Sequence, residues 1–450
     1  MSTVAVIGGG WAGMAAAVTL VQAGAQVSVF ESARHWGGRA RALSITGPQG
    51  QDWLVDNGQH ILIGAYTQCL ELMNTVGVNT ASALLRQPLD LRDIHGQGLH
   101  LPDLPPPFDA ALGIARTRGW RLSDKLALLL RANRWQQQGF RCGPHESVAD
   151  LCAGLPERLL RDFVEPLCIS ALNLPMEHAS GSLFLRVLRD SLFAGRGGSN
   201  FLLPRVDMGA LFPDAAARWL EQQGATLHLG RRVQRLQANA SGQSGWLVDG
   251  QAFDAVLLAT HSHEAARLAL QAAGNRTPHA SACRNWAKGA AALEHTAIAT
   301  VYAWAPPSPQ GTLLPTPMVA LPCSAQEPAQ FAFDKGRLNG PAGLLALVVS
   351  ACTLPRQALQ ERVLAQARQQ LQLPRLQGLK TVIDKRATFA CTPAVQRPPA
   401  AIAPDLWACG DYVQGPYPAT LEGAVRCART VAQATLQECA RISGSPDTTG

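Results

Sequence analysis

Short apolar runs open this chain and recur near its end, with helix-spaced stretches between them. Thr3–Ile7 and Gln26–Glu31 read as buried strands and Ala12–Ala23 between them as a helix, a βαβ opening. Further on, Met208–Gln223 has helical spacing. Candidate strands follow at Thr226–Leu229, Val233–Leu236 and Ala255–Thr260. Thr296–Trp304, Leu344–Cys352 and Leu379–Phe389 predict a separate sheet, with Gln357–Leu371 as a helix between two of its strands. Leu406–Ala408 reads as a short buried strand and Leu421–Ala440 as a helix. Residues 97–146 change character: a Pro-rich stretch, Leu101–Pro107, leads into Phe108–Phe140, where Leu and Trp alternate with Arg116, Arg118, Arg121, Lys125, Arg131 and Arg134. Helices are predicted from there to about Leu188, then a glycine-rich loop at Gly195–Asn200 and a disordered tail at Ser443–Gly450.

This order predicts an α/β protein whose first domain is assembled from separated pieces of chain. Residues 1–70, 204–265 and 395–442 form a Rossmann-like domain. Residues 71–203 and 266–394 form an inserted α+β substrate domain with a mixed sheet. A length of 450 residues fits two or three domains. No run of 18 apolar residues is present, so no spanning helix is expected. The 11 cysteines are odd in number and scattered, without CxxC or a Cys/His cluster. Reduced thiols in a cytoplasmic protein with no metal site follow from that usage. The net charge of +7 carries no recognisable nucleic-acid module and suits an anionic membrane surface.

Chemistry enters with Gly8-x-Gly10-x-x-Gly13, after a strand and opening a helix. Gly8 permits the tight turn, Gly10 lets backbone approach a pyrophosphate, and Gly13 lets helix and strand pack closely. Ala12 lies in the first turn, where free N–H groups favour phosphate. Glu31, at the end of the second strand, suits ribose hydroxyls. Gly37-Gly38-Arg39 adds a loop that can lie on the cofactor and a cation for a phosphate. Near the C-terminus, Gly410-Asp411 follows a short strand, and a helix starts at Thr420–Leu421. A carboxylate for ribityl hydroxyls and a helix N-terminus for a flavin pyrimidine edge make FAD the expected cofactor, rather than NAD. No second GxGxxG follows a strand, so no nicotinamide domain is expected.

These motifs resemble those of the flavoprotein group that includes amine oxidases, protoporphyrinogen oxidase and phytoene desaturases, with a cofactor domain of the glutathione reductase type. Asp56–His60, Phe331–Gly336, Lys385–Phe389 and Pro418–Ala424 are similar, more narrowly, to the hydroxysqualene dehydroxylases of bacterial hopanoid biosynthesis. The resemblance implies cofactor contacts at Gly8, Gly10, Gly13, Glu31, Arg39 and Asp411. It places Gly58, Gln59 and His60 beside the flavin and gives Val233 a backbone contact to adenine. Cys409 departs from the small residue expected there. The implied reaction is reductive dehydroxylation of hydroxysqualene to squalene, with hydride transfer from flavin N5 to an allylic cation. An external electron donor, identified by no motif, restores the flavin.

An oxidative enzyme of the same group, a desaturase or amine oxidase, is the alternative, although four Tyr residues leave little for an aromatic cage. An electron carrier would not need so large an insertion. Candidate proton donors are His60 and Tyr417, each of which also reads as a plain pocket residue. Asp334 and Lys335 read equally as an exposed turn pair. A C30 isoprenoid substrate resides in the bilayer, which makes 108–140 a candidate peripheral contact on the inner membrane face, with Trp120 and Trp135 dipping into the interface. The same residues read equally as an amphipathic stretch packed on the substrate domain.

Overall fold

The computed structural model describes residues 2–193, 195–239, 245–274 and 279–443. The predicted tail, apart from Ser443, lies outside them. A six-stranded sheet has the order Ala401–Ala403, Leu406–Ala408, Ala255–Leu258, Thr3–Ile7, Gln26–Glu31, Thr226–Leu229. All pairs are parallel except the antiparallel edge formed by 401–403 against 406–408. The central strands are apolar throughout because both sheet faces are covered. Helices Trp11–Gln22, Pro213–Gln222 and Leu421–Ser443 pack on one face. On the other lie a small antiparallel sheet, 236–253, and helices Ser262–Ala272 and Ala280–Ala291.

A second sheet has the order Met318–Ala320, Phe331–Asp334, Leu344–Val349, His295–Trp304, Gln377–Phe389. Each of its strands runs antiparallel to its neighbours. The mixed pairing expected in this sheet is found instead in the six-stranded one. The reason is that 295–304 sits between the two strands joined through helix Arg356–Gln370, and runs against both. One face packs on that helix. The other face shares a single apolar core with the parallel sheet: Ala5, Phe30 and Val256 cluster with Tyr302, Phe333 and Ala346.

Two predicted elements differ from the structure. Met208–Gln223 is two helices, Met208–Leu211 and Pro213–Gln222, because Pro213 has no N–H for a continuing helix and Phe212 leaves helical geometry at φ −152°. Val233–Leu236 forms no strand before Leu236, because Asp249 Oδ1 accepts the amides of Gln234 and Arg235 at 2.9 and 2.8 Å. Trp120 and Trp135 are buried core residues, 7% and 4% exposed, and not interfacial ones. No helix among the described residues is long and apolar enough to cross a membrane.

Candidate functional site

One cavity of about 960 Å³ runs from the glycine-rich turn to the inner face of the antiparallel sheet. The turn is built as its residue types require. Gly8 has φ +115°, and a Cβ there would lie 2.6 Å from the Ala259 carbonyl oxygen. A Cβ on Gly13 would lie 1.8 Å from the Gly8 carbonyl oxygen, so only glycine lets the helix sit this close to the strand. A Cβ on Gly10 meets no protein atom nearer than 3.8 Å and would project into open space beside the cavity that Gly10 lines. No side chain caps the helix that starts at Trp11, and its first turn has no acid. Trp11 and Ala12 line the cavity there, leaving the turn's N–H groups and partial positive charge for an anion.

The remaining sequence-predicted residues, Gly13 apart, line the same cavity: Glu31, Gly38, Arg39, Gly58, Gln59, His60, Val233, Gly410, Asp411, Tyr417, Thr420 and Leu421. Gly13 acts from beneath, through packing. Glu31 is buried; its Oε2 accepts from Gly9 N at 2.7 Å and its Oε1 from Ala33 N at 2.7 Å. Ser32 Oγ also donates to Oε1, at 3.2 Å, so Oε2 is the oxygen that keeps a lone pair for a hydroxyl. The Val233 carbonyl accepts from Arg267 at 2.8 Å, which leaves its amide N–H and the carbonyl's second lone pair for a backbone contact to a purine. Arg39, expected to meet a phosphate, pairs with Asp411 at 2.6 Å and donates to the Ala387 carbonyl at 2.7 Å. Thr420 caps the last helix, its Oγ1 accepting from Gly423 N at 3.0 Å.

Burial distinguishes the two candidate acids. The His60 imidazole is pushed down to about 4, and its buried Nδ1 has no hydrogen-bond partner. At neutral pH it is uncharged and offers an unfilled polar atom to a bound molecule. Burial raises the Tyr417 hydroxyl above the usual phenol value, with Arg186 opposing and Asp190 adding to the rise. Its oxygen accepts from Arg186 Nη2 at 2.9 Å, and the guanidinium lies 4.5 Å from the ring centre. Arg186 pairs with Asp190 at 2.7 Å, one turn along helix Gly181–Leu192. All three residues line the cavity.

Sequence reasoning missed several contributors. Arg186 and Asp190 had no motif. Arg397 donates to the carbonyls of Asp411, Val413, Gly415 and Tyr417, and so shapes the loop that carries both Asp411 and Tyr417. A lone arginine after a Pro-flanked turn gave no signal of this. Asp334 and Lys335 are buried and not an exposed pair: Asp334 accepts from the amides of Leu313, Leu314 and Gly336, and Lys335 reaches Gln59 Oε1 at 3.3 Å. Asp56, behind the same loop, is pushed up to about 6 by burial, with Lys335 opposing. Away from the glycine turn, Leu89, Leu91, Ile298, Met318, Phe331 and Phe333 make an apolar stretch of the cavity wall, beside polar Asn173, Ser350 and Thr388.

A family model described as flavin containing amine oxidoreductase matches residues 11–436. A hydroxysqualene dehydroxylase from Sinorhizobium fredii (strain NBRC 101917 / NGR234) is 25% identical over 473 aligned positions, covering 96% of this chain and 98% of that one. A protein of the same name from Rhodopseudomonas palustris (strain ATCC BAA-98 / CGA009) is 28% identical over 464, with 96% and 98% covered. Among solved structures, an oxidoreductase from Methanosarcina mazei superposes with a TM-score of 0.71 at 18% identity, covering 96% of this chain and 100% of that one.

Proposed function

The chain belongs to the flavin containing amine oxidoreductase family, and from that membership we propose that this flavin-dependent oxidoreductase removes the hydroxyl group of hydroxysqualene reductively, giving squalene. The observation that carries the reading is the cavity: a dinucleotide turn at one end, and at the other an apolar wall suited to a hydrocarbon chain. Two full-length relatives named for this reaction support it.

In this reading residues 1–70, 204–265 and 395–442 form the cofactor domain, and 71–203 with 266–394 the substrate domain. Gly8, Gly10 and Ala12 hold the FAD pyrophosphate, with Gly13 allowing the approach. Glu31 takes the ribose hydroxyls and the Val233 backbone the adenine. Asp411, oriented by Arg39, takes the ribityl hydroxyls, while Gly38, Gly410, Thr420 and Leu421 close round the cofactor. Gly58, Gln59 and His60 would flank the flavin, and the unpartnered His60 Nδ1 would be available to it as a hydrogen-bonding group. The reduced flavin, when bound, supplies the hydride that forms the new C–H bond. Tyr417 gives its proton to the leaving hydroxyl oxygen, and the C–O bond breaks with its electron pair departing in water. Arg186 steadies the phenolate left behind, and Asp190 holds Arg186 in place. The apolar wall keeps bulk water from the allylic cation.

The test is anaerobic incubation of protein carrying chemically reduced flavin with hydroxysqualene, followed by mass spectrometry. Squalene in amounts stoichiometric with reduced flavin is the expected product. Absence of squalene, with flavin reduction instead by a polyene or an amine, would assign the cavity to oxidative chemistry.

A further inference from the structure

We infer that helices Phe108–Arg116 and Leu122–Gln137 form a docking surface for an anionic lipid bilayer. Of the nine exposed large hydrophobic side chains among the described residues, five fall in this short stretch: Phe108, Leu122, Leu126, Leu129 and Leu130. Leu122 and Leu130 are 74% and 70% exposed. The four leucines recur at three- and four-residue spacing along one face, opposite the buried face of Asp124, Leu128 and Trp135. Phe108, Ala111 and Ala115 form a second exposed stripe on the neighbouring helix. Isolated apolar side chains on a surface need no account, but a contiguous group of this kind marks an interaction site.

Charge complementarity selects the occupant. Arg116, Arg118, Arg121 and Arg134 are exposed around the leucines. The acids within 108–141, Asp109 and Asp124, are both buried. None of Arg116, Arg118 and Arg134 is ion-paired among the described residues. Leucines flanked by unneutralised arginines match acyl chains beneath anionic headgroups. The face also adjoins the cavity. Leu89 and Leu91 line the cavity and exchange backbone hydrogen bonds of 2.9 Å with Leu99 and Leu101. Gly113 packs on Leu101 so closely that a Cβ would lie 2.5 Å from it. One layer of chain thus separates the lipid-facing helix from the apolar wall. The surface does not depend on which lipid-soluble molecule the cavity accepts.

The experiment is co-sedimentation of the full-length protein with phosphatidylglycerol-containing vesicles and with pure phosphatidylcholine vesicles, beside size measurement without lipid. Wild-type protein is expected to pellet with the anionic vesicles only. Leu122→Asp/Leu126→Asp/Leu130→Asp should remain in the supernatant. Each of Arg116→Gln, Arg118→Gln and Arg134→Gln should weaken binding about fivefold. Flavin absorbance and melting temperature should stay at wild-type values in all variants, which separates a lost surface from a lost fold. Wild-type protein that ignores anionic vesicles overturns the proposal. So does a lipid-free dimer that the leucine substitutions dissociate, because a second copy would then cover the face. No result here depends on squalene formation, so the surface and the proposed reaction fail separately.

Discussion

Burial, more than residue type, decides what the polar groups round the cavity can do. His60 would ordinarily be the first choice for moving a proton near neutral pH, but its environment holds it down to about 4. The folded protein therefore resists a proton that the unfolded chain accepts near 6.5. Its stability is complete above that value and falls as the pH drops towards 4, by up to about 3 kcal/mol for this one group. Melting temperatures of wild type and His60→Gln should therefore converge on acidification through this window; parallel curves would show that the imidazole is not desolvated. Tyr417 keeps its proton at neutral pH, as a donor must. Tyr417→Phe is expected to slow single-turnover product formation from pre-reduced enzyme by about 100-fold or more, and His60→Phe far less. Asp190 acts through its neighbours, so Asp190→Asn has a different signature. Removing a carboxylate that raises the Tyr417 hydroxyl lowers it, and the alkaline limb of the rate profile should move to lower pH.

At the scale of elements, the junction of the first strand and helix has the least tolerance. Gly13→Ala would place a methyl 1.8 Å from the Gly8 carbonyl oxygen, forcing the helix from the strand. A cost of about 1–3 kcal/mol and loss of bound flavin are expected. Gly289→Ala, in the last turn of helix Ala280–Ala291 with nothing within 4 Å, should be neutral or slightly stabilising. Equal flavin occupancy in the two variants would contradict this account. The contrast also explains what could be read from the chain. Gly8, Gly10, Gly13 and Glu31 were legible because their chemistry is local to one βαβ unit. Ala255–Leu258 was legible because burial on both faces leaves an unbroken apolar run. Val233–Leu236 has apolar residues only at its ends, and the amides of the Gln234 and Arg235 between them are claimed by the Asp249 side chain, which no strand pattern reveals. Arg186, Asp190 and Arg397 were invisible for a related reason. Their partners are a tyrosine more than 200 positions away and a row of loop carbonyls, brought together only by tertiary packing.

Over the whole molecule, the two sheets are tied together tightly enough to predict how they unfold. They share one apolar core. Polar ties reinforce it: Tyr302 donates to the Asp56 carbonyl at 2.7 Å, Lys335 reaches Gln59, and Arg39 reaches Ala387. The C-terminal helix, from the far end of the chain, packs on the first helix. Melting should therefore be a single transition in which flavin release and tryptophan exposure coincide. The response to cofactor gives a quantitative check. Free FAD at 100 times its dissociation constant adds about 2.7 kcal/mol. For the full 450 residues the unfolding entropy is roughly 0.9 kcal/mol per degree, so the midpoint should rise by only about 3 °C. If a cofactor-binding unit of about 200 residues melted alone, the same free energy would move its midpoint by roughly 6 °C and leave a second transition unmoved. A scanning calorimetry titration with FAD separates the two cases. Two transitions, one indifferent to the cofactor, would mean that the shared core does not couple the sheets.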